Sequence, residues 1–186
     1  MDDSAYLLHA AAQFRSTKAL ADKAVAQLDD ARFAAKLDAE SNSVALVVKH
    51  VAGNLRSRWT DFLTTDGEKP DRRRDAEFED EAADSRADLM RRWEAGWATF
   101  FDVLDSLAPG DLGRTVTIRG EPHAVFEAIE RQKTHYGYHV GQIVFLAKHL
   151  AGPAWTSLSV ARGASEAFTA AKRAAESGRG PAGPGA

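Results

Sequence analysis

The chain has 186 residues, 44% of them hydrophobic and 27% charged, with 24 lysines and arginines against 27 aspartates and glutamates. That length supports one domain with a substantial core, the apolar content excludes wholesale disorder, and a net charge of −3 gives no general pull toward nucleic acid. With no cysteine, disulfides, thiolate nucleophiles and cysteine zinc sites are excluded.

The first segment, MDDSAYLLHAAAQF, is acidic where a signal peptide is basic and has no apolar core. The longest apolar run, IVFLA at 143–147, is too short to span a bilayer, so a cytoplasmic protein with no membrane partner is expected. Leu7, Ala11, Phe14, Ala21, Val25 and Leu28 recur at three- and four-residue steps and predict an amphipathic helix over 4–28. Asp29 and Asp30 break it, with a short helical turn through Ala35. Ser41 or Ser43 caps a second helix reaching about Leu63, and TTDGEKPDRRRDAEFED (64–80) reads as a long charged loop. A third helix over 81–107 carries a heavy aromatic stripe, with Trp93, Trp97 and Phe100, and ends at Pro109-Gly110.

TVTIRGEPHAV (115–125) switches to alternation around a Gly turn, the signature of a small β-hairpin. A fourth long helix follows over 122–150, with Pro122 in its first turn and Gly152 past its end. A shorter helix is predicted at 165–176, capped by Ser165. These elements predict an all-α four-helix bundle over 1–176, with a hairpin inserted before its fourth long helix and a short C-terminal helix. Residues 177–186, Gly/Pro-rich, read as a disordered tail.

Two polar seams run along this pattern. On the fourth helix, Gln132, His135, His139 and Gln142 share a face; on the second, His50, Asn54, Ser57 and Asp61 do so. Facing one another, they would make a polar pocket. His135 and His139 offer two imidazoles from one rigid helix and His50 a third from across the bundle, an open ligand set suited to Zn, Ni, Cu or Fe(II). Spacing alone leaves packing, a pH switch and metal binding open, because HxxxH is a weak motif. Tyr136 rather than Glu follows His135, so the zinc peptidase motif is absent. His9, His123 and His149 read as unrelated to the seams.

His50 together with HYGYHVGQI (135–143) resembles the metal-binding pattern of the DinB-like superfamily. The strings KHVAGNLRSRWTDFLTTDGEKP, RTVTIRGEPHAV and YHVGQIVFLAKHLAG look more specifically like one uncharacterised bacterial branch of it, over about residues 5–175. The resemblance implies a four-helix bundle with a divalent metal, Ni or Zn most often and Fe or Mn in other cases, on His50, His135 and His139. Members of that superfamily are thiol-dependent S-transferases or isomerases, many of them dimers, so the resemblance implies a homodimer with a small-molecule substrate. An open-site cation that activates water or a thiol makes the expected enzyme a hydrolase or a low-molecular-weight-thiol S-transferase. The loop PDRRRD (70–75) departs from the pattern, with Asp71 and Arg73 in place of an aromatic and a smaller polar residue.

Around that triad, Gln142 or Asn54 could hold a histidine tautomer, and Arg72 or Arg74 could clamp an anionic group if the loop closes over the pocket. Asp61 could accept a proton, although three helical turns place it roughly 16 Å from His50 at ~1.5 Å per residue. The competing reading is a non-catalytic bundle, a metal-binding or stress-response dimer. The basic cluster Arg72 to Arg74 is balanced by surrounding acids, which argues against a nucleic-acid partner.

Overall fold

In the computed structural model, residues 2–81 and 84–177 are described. The chain divides into two compact units, Met1–Ala154 and Trp155–Ala186. The first contains four long helices: α1 (Asp3–Val25), α3 (Val44–Trp59), α4 (Arg86–Ser106) and α5 (Val125–Ala151), with the short α2 (Asp30–Ala34) after α1. The expected all-α fold with one small hairpin is what forms. In the second unit, α6 (Ser165–Ser177) starts at Ser165. The tail expected from 177 lies, from 178 onward, outside the described residues. No helix among the described residues is long and apolar enough to cross a membrane.

Caps set the helix starts. Asp2, Asp29, Ser43 and Ser85 each accept a backbone N–H from the first turn that follows. α1 ends at Val25, three residues short of the expected limit: the chain tightens into i→i+3 bonds, Gln27 N–H to the Ala24 carbonyl and Leu28 N–H to the Val25 carbonyl, and Arg86 of α4 donates to the carbonyls of Val25 at 3.0 Å and Leu28 at 2.6 Å. α3 stops at Trp59 rather than near Leu63: Thr60 turns extended and Asp61 adopts a left-handed φ of 48°. α5 starts at Val125, not at Pro122, which belongs to the hairpin; the Glu127 carboxylate accepts the Ala124 N–H at its first turn.

The core lies among the four long helices. Trp59, Trp93, Trp97, Tyr136, Phe14 and Phe100 are fully buried there, so the third-helix aromatic stripe is core. α3 and α4 approach closely at Gly96, where a Cβ would stand 2.9 Å from the Leu55 Cβ. Trp93 Nε1 donates to Asp22 Oδ1 of α1 at 2.9 Å, giving one buried indole its partner.

The hairpin pairs β1 (Thr115–Ile118) with β2 (Glu121–Ala124) in antiparallel register, Ile118 opposite Glu121. Its two-residue turn needs positive φ at Arg119 (55°) and Gly120 (77°), the geometry that matches strand twist. Asp66, in the loop after α3, stabilises that turn. Its carboxylate accepts the backbone N–H groups of Arg119 at 2.9 Å, Gly120 at 2.8 Å and Glu68 at 2.7 Å. Gly67 N–H donates to the Thr117 carbonyl at 2.8 Å. The 64–80 loop is thereby stapled to the hairpin that leads into α5.

Replacing Asp66 by Ala removes one acceptor from three N–H groups. A destabilisation of about 1–3 kcal/mol is expected, read as a lowered urea midpoint, with hydrogen exchange speeding up at Arg119 and Gly120 more than in α1.

Candidate metal centre

α3 and α5 run antiparallel, and their facing side chains meet in pairs. Trp59 Nε1 donates to the Tyr136 hydroxyl and that hydroxyl to Asn54 Oδ1, each at 3.0 Å. One turn further along, His50 faces His135 and His139, with Nε2 of His50 3.3 Å from Nε2 of His135. The three imidazoles each offer a nitrogen within 4.8 Å of the other two. Sequence spacing and observed geometry thus bring the same three histidines together, across 85 residues of chain.

The outer nitrogens decide the tautomers. His50 Nδ1 donates to the Glu77 carboxylate (2.8 Å), and His139 Nδ1 donates to Gln142 Oε1 (2.9 Å). Neutral rings so held have bare Nε2 atoms turned inward. A proton on His135 Nε2 could satisfy His50 but would leave His139 Nε2 bare, and that atom is buried without a hydrogen-bond partner. A cation among the three nitrogens satisfies all of them at once. At a metal–nitrogen distance of ~2.0–2.1 Å, tetrahedral ligands stand about 3.3–3.4 Å apart, which the His50–His135 pair already matches. The donor set therefore fits a divalent metal.

Glu77 is the residue that periodicity did not reveal. It sits in a 3₁₀ turn (Asp75–Phe78) within the loop, and Arg72 grips it by two bonds of 2.9 Å, Nε to Oε1 and Nη2 to Oε2. Burial raises its pKa, but the hydrogen bonds from His50 and Arg72 outweigh that and hold it below the usual carboxylate range. Phe78, from the same turn, stacks on His50 with ring centroids 4.6 Å apart. Gly53 makes room for this: a Cβ there would fall 2.2 Å from Glu77 Oε1.

Of the other expected residues, Gln142 orients His139, whereas Asn54 lines the cavity but bonds Tyr136 rather than a histidine. Arg72 is drawn inward onto Glu77 and Glu68. Arg74 stays half exposed, its guanidinium 5.4 Å above the Phe78 ring. Asp61 is not brought to the cavity: it lies past the end of α3, exposed, its carbonyl accepting from Thr64 and Thr65. Ser57 leaves the polar seam to anchor the loop, donating to the Gly67 carbonyl and accepting from Lys69 N–H. The cavity over the triad measures about 230 Å³, and Arg58, Arg119, Arg131, Gln132, Phe78 and Tyr138 complete its wall. A larger cavity of about 490 Å³ on the other side of the loop holds no histidine and meets this site at Arg72 and Glu77.

Burial pushes the His135 imidazole down to about 3, with His139, His50, Arg72 and Arg58 adding to the shift. Burial likewise takes His139 down to about 4 against the opposing hydrogen bond to Gln142. Both rings are neutral at pH 7. An unfolded imidazole protonates near pH 6.5, so the unfolded chain binds more protons throughout the window from about 6.5 to 4. Stability of metal-free protein is therefore full above that window and falls as pH drops through it. Urea midpoints at pH 7.5, 6 and 5 should decline in that order, and His135→Gln should flatten the decline.

Gly53→Ala should preserve the helix while displacing the Glu77 carboxylate. Long-range proton–nitrogen NMR of metal-free protein is expected to show His50 protonated at Nδ1 in the wild type and a mixed tautomer in the variant. An unchanged His50 spectrum would show that Glu77 does not set the tautomer.

No curated protein and no solved structure matches the chain. A family model does, over residues 2–164, which takes in α1 through α5, the loop and all three histidines. The chain belongs to this family, DUF1572, a family of proteins of unknown function.

Proposed function

We propose that the protein is a divalent-metal-binding member of the DinB-like superfamily and a metal-dependent enzyme, a hydrolase or a low-molecular-weight-thiol S-transferase. The observation that carries this reading is the buried, unpartnered Nε2 of His139, held bare by Gln142 beside two further imidazole nitrogens. Neutral nitrogen donors of this kind favour Zn or Ni, and accept Fe or Mn less readily.

A divalent cation there would lower the pKa of a coordinated water or thiol and so supply a nucleophile near neutral pH. The chain's own contributions are separable from that. Glu77, fixed by Arg72, keeps the His50 proton on Nδ1, and Gln142 does the same for His139. Phe78 packs over His50 and shields one wall from water. Since the chain has no cysteine, a thiol-transfer reaction would take its sulfur from a small-molecule thiol. Pairing of two copies belongs to this reading, supported by the exposed apolar side chains of Leu8, Phe126 and Phe145.

The competing reading is a non-catalytic metal-binding bundle. It is favoured by one observation: among the described residues no aspartate or glutamate lines the cavity, so they present no carboxylate there as a general base.

Elemental analysis of untagged protein, purified without chelator, is expected to find about one metal per chain. His50→Ala, His135→Ala and His139→Ala should each lose it while retaining helical circular dichroism. Wild-type protein that stays metal-free after anaerobic reconstitution with Ni, Zn, Fe and Mn would overturn the proposal. Turnover of thiols with electrophiles, or of hydrolysable esters and amides, by loaded wild type alone separates the enzyme from the binding bundle.

A further inference from the structure

Two arginines on the cavity wall have no role in the chemistry above. Arg58 stands two turns beyond His50 on α3, and Arg131 one turn before His135 on α5. Because the two helices are antiparallel, both guanidinium groups reach the same end of the cavity. Arg58 is only 3% exposed, yet its Nε and Nη1 have no hydrogen-bond partner. Its carboxylate neighbour, Glu68, is 3.9 Å from Nη2 and is shared with Arg72 at 3.2 Å and Arg119 at 3.3 Å. Arg131 makes no ion pair among the described residues.

The two charges also act on each other. Desolvation pulls the Arg58 pKa down, and the nearby positive charge of Arg131 pulls in the same direction. Gly67 lies over Arg58 so tightly that a Cβ would stand 2.9 Å from its Cδ and Nη1, which pins the guanidinium under the loop backbone. A buried cation with unmet N–H groups and a second cation beside it are both unfavourable. An oxyanion between them relieves both at once, by charge-assisted hydrogen bonds to two planar forks.

We propose that Arg58 and Arg131 form an anion subsite that takes the carboxylate or phosphate group of a small organic substrate, with the rest of that substrate lying toward the three histidines. The 230 Å³ cavity limits the occupant to a small molecule, and Phe78 and Tyr138 give it an aromatic wall. The proposal rests on reading the cavity as a reaction site, but anion binding itself needs no metal.

The test is titration calorimetry of the full chain with succinate and with inorganic phosphate at low salt, on protein as purified and after dialysis against EDTA. Saturable binding of at least one of them is expected in both samples, and the tighter of the two identifies the anionic group. Arg131→Gln should weaken it at least tenfold with helical content unchanged, and Arg131→Lys should fall between, having charge without the fork. Arg58→Gln should weaken it likewise wherever circular dichroism shows it folded. Arg15→Gln, which removes a pair with Asp105 elsewhere on the surface, should leave binding as it was. Absence of saturable binding of either anion by wild type, or equal affinity in wild type and Arg131→Gln, would overturn the subsite. Metal content of the same samples reads the metal centre separately: Arg131-dependent binding by a chain that takes up no metal keeps this inference while removing that one, and one metal per chain without anion binding does the reverse.

Discussion

The contact on which the site depends is the Glu77 carboxylate held between His50 and Arg72. Its side chain and that of Arg72 are both withdrawn from solvent, so removal of Arg72 would leave the buried carboxylate with His50 alone, and removal of Glu77 would leave Arg72 with only its longer contact to Glu68. The same carboxylate passes so close to Gly53 that a side chain there would enter only by displacing it. One ion pair thus fixes the loop against the helix, orients an imidazole and dictates a glycine. The loop is held at its other end by Asp66 on the hairpin turn and by Ser57 on Gly67 and Lys69. Since the hairpin runs directly into α5, the positions of His50 on one helix and His135 on another are set through a continuous chain of polar contacts.

The helices and the three histidines were legible in the sequence because both obey the same 3.6-residue period. Leu7 to Val25, the aromatic stripe of α4 and the faces carrying His50 or His135 and His139 need no tertiary information to be seen. Asp61 was misplaced because the seam was extended past the true end of α3, where a left-handed residue breaks the period that nothing in local composition marks. Glu77 and Arg72 were invisible as a pair: they are loop residues, and their meeting depends on how the loop closes over Gly53. Arg58 and Arg131 do obey the helical period, at i+8 from His50 and i−4 from His135. Read alone, an arginine at a helical position is indistinguishable from a solvated one, and only burial separates Arg58 from Arg56.

Net charge conceals the local field. The chain as a whole is acidic, with a net charge of −3, yet among the described residues five arginines and no carboxylate line the histidine cavity. The acids that balance them, Glu68 and Glu77, stand behind the wall rather than in it. In a concave, partly desolvated space such an arrangement focuses positive potential well beyond what the total charge suggests. It also bears on the pKa values within this small volume: His135 and Arg58 yield to burial and to positive arginine neighbours as well, whereas burial is the main cause for His139.

The 85 residues between His50 and His135 have a consequence for folding. A nitrogen cluster built from adjacent residues could capture an ion in a fragment or in the unfolded chain. This one cannot, because α3 and α5 must dock before three nitrogens converge. Any ion requiring all three therefore discriminates fully between the assembled bundle and its unfolded state, and its binding free energy adds to the global stability rather than to that of one helix. Thermal resistance of the whole bundle would then vary with free metal concentration, and the protein's lifetime would follow the supply of its ion.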